Sequence, residues 1–561
     1  MRTRLTRRQL LARTGAAGAG LALGVRGSHA SPLSVASAAA AQGQTKDTLV
    51  IGLGGDASFI NPVVASDGQS YKVEWPVFDA LVEYDENLNI RPALAASWDV
   101  SEDGQTYTFH LNKTVVWHDG TPFTADDVAF TFYTMLDPKT HAASRAFFGA
   151  LAGFAELTNA AKPADPASLP KKPVEVLDPY TVRFNLSYPY AAFLGVLTAP
   201  RGAIIPKRAL QGQDVNTTPF NTKPVGTGPY RVVEWRKGDS IVLEAFDRYY
   251  RGRPAIRRVV FRVIPDPVVR TQALRTGGID LLDDPPVDEL NRLKSDPQYT
   301  VAGIYTPSYE YFGFRLDRPP FNDVRVRQAL SYAVDFDAIV HKVLLGYALP
   351  ATGPIPPTSW AYTAQIKRYP YDPAQAKRLL SEAGYTPGPG GIMQKDGRPF
   401  RFSIKGDEGA QAVRDAAVIV QAQLAQVGVQ ADIGLLDWPT FVRQLFASDF
   451  EVILVGWTGH PDPDPFNYTI WHSSQWNGRN FAHYKNPEVD QILEDGRRTR
   501  DRAKRRAAYV KLQQVLATDA PYVWGYYQKE MYVYNRRLRG FSLIPAQAAI
   551  YQSLRTASWQ S

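Results

Sequence analysis

From Gly456 to Asp464 the chain reads Gly-Trp-Thr-Gly-His-Pro-Asp-Pro-Asp, which puts an indole, a hydroxyl, an imidazole and two carboxylates in one short run. Such a set can stack on rings, accept protons from ammonium groups or ligate a metal. The run follows the apolar segment Val452–Val455, read as a buried strand, and α/β sheets place ligands where a strand end opens into a Gly-rich loop. Gly456, Trp457, Thr458, Gly459, His460 and Asp462 are therefore the expected ligand contacts. Lys405 and Asp407 add one charge of each sign ahead of a long amphipathic stretch. Trp438, Trp471 and Trp476 offer aromatic surface that can pack in a core or stack on a ligand.

Reaction chemistries fail on spacing. His460, Asp462, Asp464, His472 and His483 include no tight His-x-x-x-His pair, so no metal is expected. Gly52-Leu-Gly-Gly-Asp-Ala57 follows an apolar strand as a dinucleotide fingerprint would, but Asn61-Pro62 opposes the helix that fingerprint needs. Ser168-Leu-Pro-Lys171 lies in a Pro-rich loop, whereas a nucleophilic Ser and its Lys share a helical turn. No Gly-x-Ser-x-Gly elbow, Walker loop or cysteine is present. The expectation is binding without catalysis and without a cofactor. A secreted hydrolase is the rival from another class, and it would turn peptides over.

The elements that position the loop are legible in the second half. Asp372 is placed to cap a helix starting at Pro373, with Ala376, Leu379, Leu380 and Ala383 on one face and Gly384 past its end. Val413, Ala416, Val420, Leu424 and Val427 mark a longer helix that stops at Gly428. Val429 to Leu435 alternates as a strand, followed by a short helix near Thr440–Ala447. Helix alternating with strand implies an α/β layer with a buried sheet. The first half is richer in strands: apolar residues alternate at Tyr107, Phe109 and Leu111 and again at Val182, Phe184 and Leu186, with a helix over Asp126–Met135 between them and a surface loop over Lys162–Pro173. A last helix is predicted over Pro487–Ala517; its arginines are interleaved with acids and read as a solvated face.

The N-terminus places the protein. Arg2, Arg4, Arg7 and Arg8 precede a mildly apolar stretch from Leu10 to Val25 and an Ala/Ser-rich run ending near Ala41, the pattern of a signal peptide. Thr6-Arg-Arg-Gln-Leu-Leu11 is similar to a twin-arginine export signal. Cleaved or kept as an anchor, it would put the body at the periplasm or the outer face of the cytoplasmic membrane. The formal charge of +8 does not indicate nucleic acid, because residues 1–41 hold six arginines and no acid, and removing them leaves +2. The absence of cysteine excludes a lipid-acceptor Cys. About 520 remaining residues exceed one core, so two or three domains are expected.

The segments Pro92-Ala-Leu-Ala-Ala-Ser-Trp98, Asp103-Gly-Gln-Thr-Tyr-Thr-Phe-His110 and Trp117-His-Asp-Gly-Thr-Pro-Phe-Thr-Ala-Asp-Asp-Val128 resemble the signature of the family 5 bacterial extracellular solute-binding proteins. Pro224-Val-Gly-Thr-Gly-Pro-Tyr230, Phe321–Leu330, Tyr371–Leu380 and Asn486–Asp490 follow in the family's order. The resemblance implies a two-lobed α/β clamshell of the class II periplasmic-binding-protein type. Its first lobe is residues 46–304 plus 525–561, with 76–199 as an extra subdomain, and its second is 305–524. Hinges are expected near 304–308 and 522–526.

It also implies a monomeric receptor that gives a peptide-like solute to the permease and ATPase subunits of an ABC importer, with membrane contact through the permease or an uncleaved N-terminus. Ser58, Phe59 and Asn61 would close on the solute from the first lobe. Two departures follow from the same resemblance. His460 stands where peptide receptors often carry an acid for the ligand's ammonium, and the Lys405–Glu408 segment lacks the Arg that dipeptide receptors commonly offer to the ligand's carboxylate. A non-peptide ligand, an oligosaccharide or a metal chelate, is the alternative.

Overall fold

The alternating segments join into an eleven-stranded mixed sheet in the computed structural model, which describes residues 46–560 apart from 143, 477 and 547. The export signal expected over residues 1–41 lies outside the described residues. Across the sheet the strands run Gln430–Ile433, Arg401–Gly406, Val452–Thr458, Tyr299–Phe314, Tyr522–Asn535, Leu281–Asp283, Thr48–Leu53, Arg258–Val263, Ser240–Ala245 and Tyr230–Arg236, with Ala348–Pro350 paired to Tyr522–Asn535. We call the half holding Thr48–Leu53 the first lobe and the half holding Val452–Thr458 the second.

Two long antiparallel strands, Tyr299–Phe314 and Tyr522–Asn535, carry the chain between these halves. Their register slips between Tyr305 and Tyr309 and again between Glu310 and Tyr311. Bulges of this kind bend and twist a strand, so one pair of strands can belong to two differently oriented halves.

Most predicted elements form where capping and periodicity place them. Asp372 accepts the Gln375 N–H at the start of helix Pro373–Glu382, and Gly384 takes a φ of +93° just after it. Helices Gln411–Gln426 and Trp438–Phe446 flank strands Gln430–Ile433 and Val452–Thr458. In the first lobe, strands Ala95–Val100, Thr106–Leu111, Thr181–Asn185 and Val174–Asp178 form a separate antiparallel sheet. Helix Ala125–Leu136 packs on it. No helix among the described residues is long and apolar enough to cross a membrane.

The helix expected over 487–517 is two helices, Pro487–Arg498 and Arg502–Asp519. Thr499 is extended, and Asp501 accepts from the Ala503 and Lys504 N–H groups, which starts a second helix. The acid read as a solvated neighbour of the arginines is in fact a cap. The arginine face is not wholly solvated either: the side chains of Arg497 and Arg505 are only 11 % and 8 % exposed and pair with Asp464 and Asp462.

The segments carrying the family resemblance hold this frame together. The Trp117 indole donates to Asp127, which also accepts the Thr124 N–H at the start of helix Ala125–Leu136. The His118 Nδ1 accepts the Gly226 N–H (3.1 Å) while its Nε2 donates to the Gly228 carbonyl (3.0 Å), so the first signature block clasps the second. That clasp lies against Pro76–Val77: a Cβ on Gly226 would meet the Val77 carbonyl oxygen at 1.9 Å, and one on Gly228 the Pro76 oxygen at 2.6 Å. Burial pushes His118 down to about 4, keeping it in the neutral form that both bonds need. Farther along, Arg327 donates to the Asp519 and Ala520 carbonyls at the end of helix Arg502–Asp519, where a cation suits the exposed carbonyls.

His118→Ala leaves a donor and an acceptor unpaired, and a loss of about 2 kcal/mol is expected. Thermal unfolding should show a lowered transition temperature; an unchanged one would remove the clasp from the stabilising contacts.

Candidate functional site

Strand Val452–Thr458 pairs with Tyr299–Phe314 through Gly456↔Glu310, Trp457↔Tyr309 and Thr458↔Ser308. The loop beyond it can pass so close only because of two glycines. A Cβ on Gly456 would fall 2.1 Å from Glu310 Oε1, and one on Gly459 would fall 1.9 Å from the Pro307 carbonyl oxygen. This path carries His460 to the first lobe.

His460 is buried between the lobes. Its Nδ1 accepts the Asp462 N–H (3.0 Å), which leaves Nε2–H to donate to the Gly195 carbonyl of the first lobe (3.2 Å). The Tyr84 ring meets the imidazole edge-on at 6.1 Å. Burial pushes His460 down to about 4, with Arg201 acting in the same direction and Asp462 opposing, so it is neutral at pH 7. A neutral imidazole bonded on both sides is a latch between lobes and a poor partner for an ammonium group.

The loop's acids are also committed. Asp462 accepts from both Arg505 nitrogens at 2.7 and 2.9 Å and from the Asp464 N–H. Burial alone would raise its pKa, but Arg505 outweighs that and holds it below the usual carboxylate range. Asp464, fully buried, accepts from Arg497 at 3.2 and 3.3 Å and from the Tyr509 hydroxyl at 3.4 Å. These pairs brace the loop against helices Pro487–Arg498 and Arg502–Asp519.

Two small cavities meet at Gly459–His460. One is lined by Pro307, Tyr309, Ile355, Trp457 and Phe466, the other by Tyr71, Trp75, Tyr84, Arg201 and Gln552. Trp457 is half-buried and stacks on Phe481 at 5.4 Å and 15°. Thr458, also half-buried, ends the strand just before these cavities.

Other expected residues lie elsewhere. Ser58 and Phe59 give their N–H groups to the Ser70 hydroxyl, and Asn61 is buried and bonded to Asn221 and the Val63 N–H. None of the three lines either cavity, whose first-lobe wall includes Tyr71, Trp75 and Arg201. Trp438 is 53 % exposed and packs on Phe441; Lys405 donates to the Asp449 carbonyl, and Asp407 accepts the Gly409 N–H. Trp471 is buried, and Trp476 stacks on His483.

Arg201 and Arg479 are absent from the sequence reading. The Arg201 guanidinium lies 5.4 and 5.9 Å from the Phe147 and Phe466 ring centres, and that of Arg479 lies 5.4 Å from each. Two cations thus share two rings, Phe466 on the second lobe and Phe147 on the first. Neither has a carboxylate partner among the described residues. Burial and the neighbouring Arg201 push Arg479 down to about 10. Neither arginine lies in a recognisable motif, so only the fold could find the pair.

One arrangement imitates a hydrolase. Ser448 Oγ lies 3.3 Å from His483 Nε2, and His483 Nδ1 lies 3.1 Å from Asp317. Ser448 is the residue closing helix Trp438–Phe446, its carbonyl is taken by Arg315, and Arg315 also pairs with Asp317 and faces His483 Nδ1. No cavity described above includes any of the three. Arg315 thus ties Ser448, His483 and Asp317 together.

The latch has a pH signature. Separated lobes would return His460 to its ordinary value near 6.5. Contact between the lobes is then unpenalised above about pH 6.5 and weakens as pH falls toward 4, by at most about 3 kcal/mol. Small-angle scattering across this range should show expansion of the wild type beyond that of His460→Gln; matching profiles would remove His460 as the titrating latch.

Residues 89–478 match the profile of the bacterial extracellular solute-binding proteins, family 5 Middle. The chain is 33 % identical over 522 residues to the oligopeptide-binding protein AppA of Bacillus subtilis, covering 91 % of this chain and 92 % of that one. It is 32 % identical to heme-binding protein A of Haemophilus influenzae, covering 82 % and 84 %. The solved structure of AppA in complex with a nonapeptide superposes with a TM-score of 0.79 at 30 % identity, over 92 % of this chain and all of that one. NikZ from Campylobacter jejuni in complex with Ni(L-His) gives 0.77 at 31 %, over 91 % and 99 %. A sheet bridged by two long strands, a strand-end loop latched across two lobes and sequence likeness along nearly the whole described chain lead to one assignment: the protein belongs to the family 5 bacterial extracellular solute-binding proteins.

Proposed function

We propose that this receptor captures a peptide-like solute bearing a free carboxylate at the seam around Gly459–His460 and hands it to the permease of an ABC importer, without chemistry of its own. The observation that carries the reading is the Arg201–Arg479 pair: two guanidiniums beside the strand-end loop with no acidic partner among the described residues. Unpaired cations away from bulk water are costly unless a ligand supplies the counter-charge. A peptide's terminal carboxylate would do so, and the Trp457 and Tyr309 surfaces would take apolar side chains. The ammonium end lacks a free acid in this loop, since Asp462 and Asp464 are both taken by arginines. Recognition therefore centres on the carboxyl end and on backbone hydrogen bonds, with tolerance for what lies at the other end.

We assign the lobes as 46–304 with 525–561, and 305–524, with 76–199 as the subdomain that supplies Tyr84, Phe147 and Gly195. The hinge lies where the long strands slip register, between Tyr305 and Tyr309 and opposite Tyr527–Lys529. Export by the N-terminal signal, a monomeric receptor and delivery to ATPase-driven permease subunits complete the reading.

Native mass spectrometry of protein purified from cells should reveal a co-purified acid of peptide composition. Calorimetry with a pool of tetrapeptides should show saturable binding of the free acids and at least ten-fold weaker binding of the C-terminal amides. Arg479→Gln should erase that preference, and Trp457→Ala should weaken both by about 2 kcal/mol while the fold is kept. Equal binding of acids and amides would contradict the carboxylate reading, and peptide turnover would contradict the receptor reading.

A further inference from the structure

A space larger than either cavity at Gly459–His460 also lies at the lobe boundary. A cavity of about 420 Å³ opens on the far side of Tyr84 and Pro461, a volume in the range of small-molecule sites. The first lobe supplies Tyr84, Trp98 and Tyr107, and the second supplies Trp360, Arg500 and Arg502. The His460–Gly195 hydrogen bond and the Tyr84 ring lie at the partition between this chamber and the cavity that Arg201 lines.

Its charge is unbalanced. Asp462 is the one carboxylate in the wall, and both its oxygens are held by Arg505. Arg500 makes a single long contact of 3.5 Å with the Ser101 carbonyl, and Arg502 lies 5.2 Å over the Trp360 ring; neither has an acidic partner among the described residues. The interruption of the helix at Thr499–Asp501 sets both side chains at the chamber. Four aromatic side chains around two uncompensated guanidiniums favour a flat, negatively charged occupant, stacked on rings and ion-paired at its edge.

We propose that this chamber is a second binding site, separate from the solute seam, for a planar organic anion such as an aromatic carboxylate. Because its walls come from both lobes, an occupant stabilises the joined state and raises affinity at the seam by linkage. The chamber adds a co-ligand to the proposed receptor function, and its test does not depend on which solute the seam takes.

The probe is 2-naphthoate, titrated calorimetrically into the full mature chain at low ionic strength, with 2-naphthamide and inorganic phosphate as controls. Saturable naphthoate binding is expected, at least ten-fold tighter than either control. The Arg500→Gln/Arg502→Gln double variant, whose changes are on exposed side chains, should lose at least ten-fold, as should Trp360→Ala, while Trp457→Ala should bind as wild type does. An unchanged melting transition shows that the variants are folded. Absence of saturable binding, or indifference to the arginine substitutions, overturns the proposal. Phosphate binding as well as naphthoate overturns the planar preference, and loss with Trp457→Ala places the probe in the seam and overturns a separate site. A peptide that binds wild type while naphthoate does not would leave the solute reading standing and the chamber refuted; the reverse would do the opposite.

Discussion

The pairing of Tyr299–Phe314 with Tyr522–Asn535 is the constraint on which the molecule depends. Within this pair the register slips are confined to residues 305–311, so the two strands bend there while the ladder continues on either side. Strand Val452–Thr458 lies along the same bent strand, so the loop after it emerges at the boundary. Gly459 then allows an approach to the Pro307 backbone that any side chain would block, and Gly456 leaves room for the Glu310 carboxyl. The position of the solute seam is thus inherited from strand pairing, and the chemistry is added by what the loop brings with it.

What the loop brings is mostly internal bracing. Two aspartates that could have met a ligand's ammonium are paired with Arg505 and Arg497, and the one imidazole is a neutral bridge to Gly195. The consequence is a boundary with arginines that lack an acidic partner among the described residues on both sides of the latch, Arg201 and Arg479 on one side and Arg500 and Arg502 on the other. In the proposed function an acidic solute neutralises Arg201 and Arg479, which share the Phe147 and Phe466 rings across the boundary.

The fold was legible wherever local chemistry decided it. Asp372 with Pro373, Gly384 and Gly428 marked helix ends correctly because caps act on their nearest neighbours. The helix over 487–517 was misread for the same reason: Asp501 acts as a cap inside an otherwise continuous pattern, and the interleaved charges concealed it. The loop Gly456–Asp462 was found from a strand end and two glycines, and Trp457 and His460 do lie at the boundary. Asn61 and Lys405 could not be placed, since their partners Asn221 and Asp449 are distant in sequence. Arg201 and Arg479 were invisible because what distinguishes them is the lack of an acidic partner, which no sequence pattern encodes.

Solute capture by closing two lobes is the central claim, and the absence of native cysteine makes it directly measurable. Spin labels on Lys113→Cys in the first lobe and Lys504→Cys in the second, both exposed positions, report one inter-lobe distance by pulsed electron resonance. Addition of a binding peptide acid should shorten that distance and narrow its distribution. A distribution that is the same with and without saturating peptide would contradict closure of the lobes on the solute.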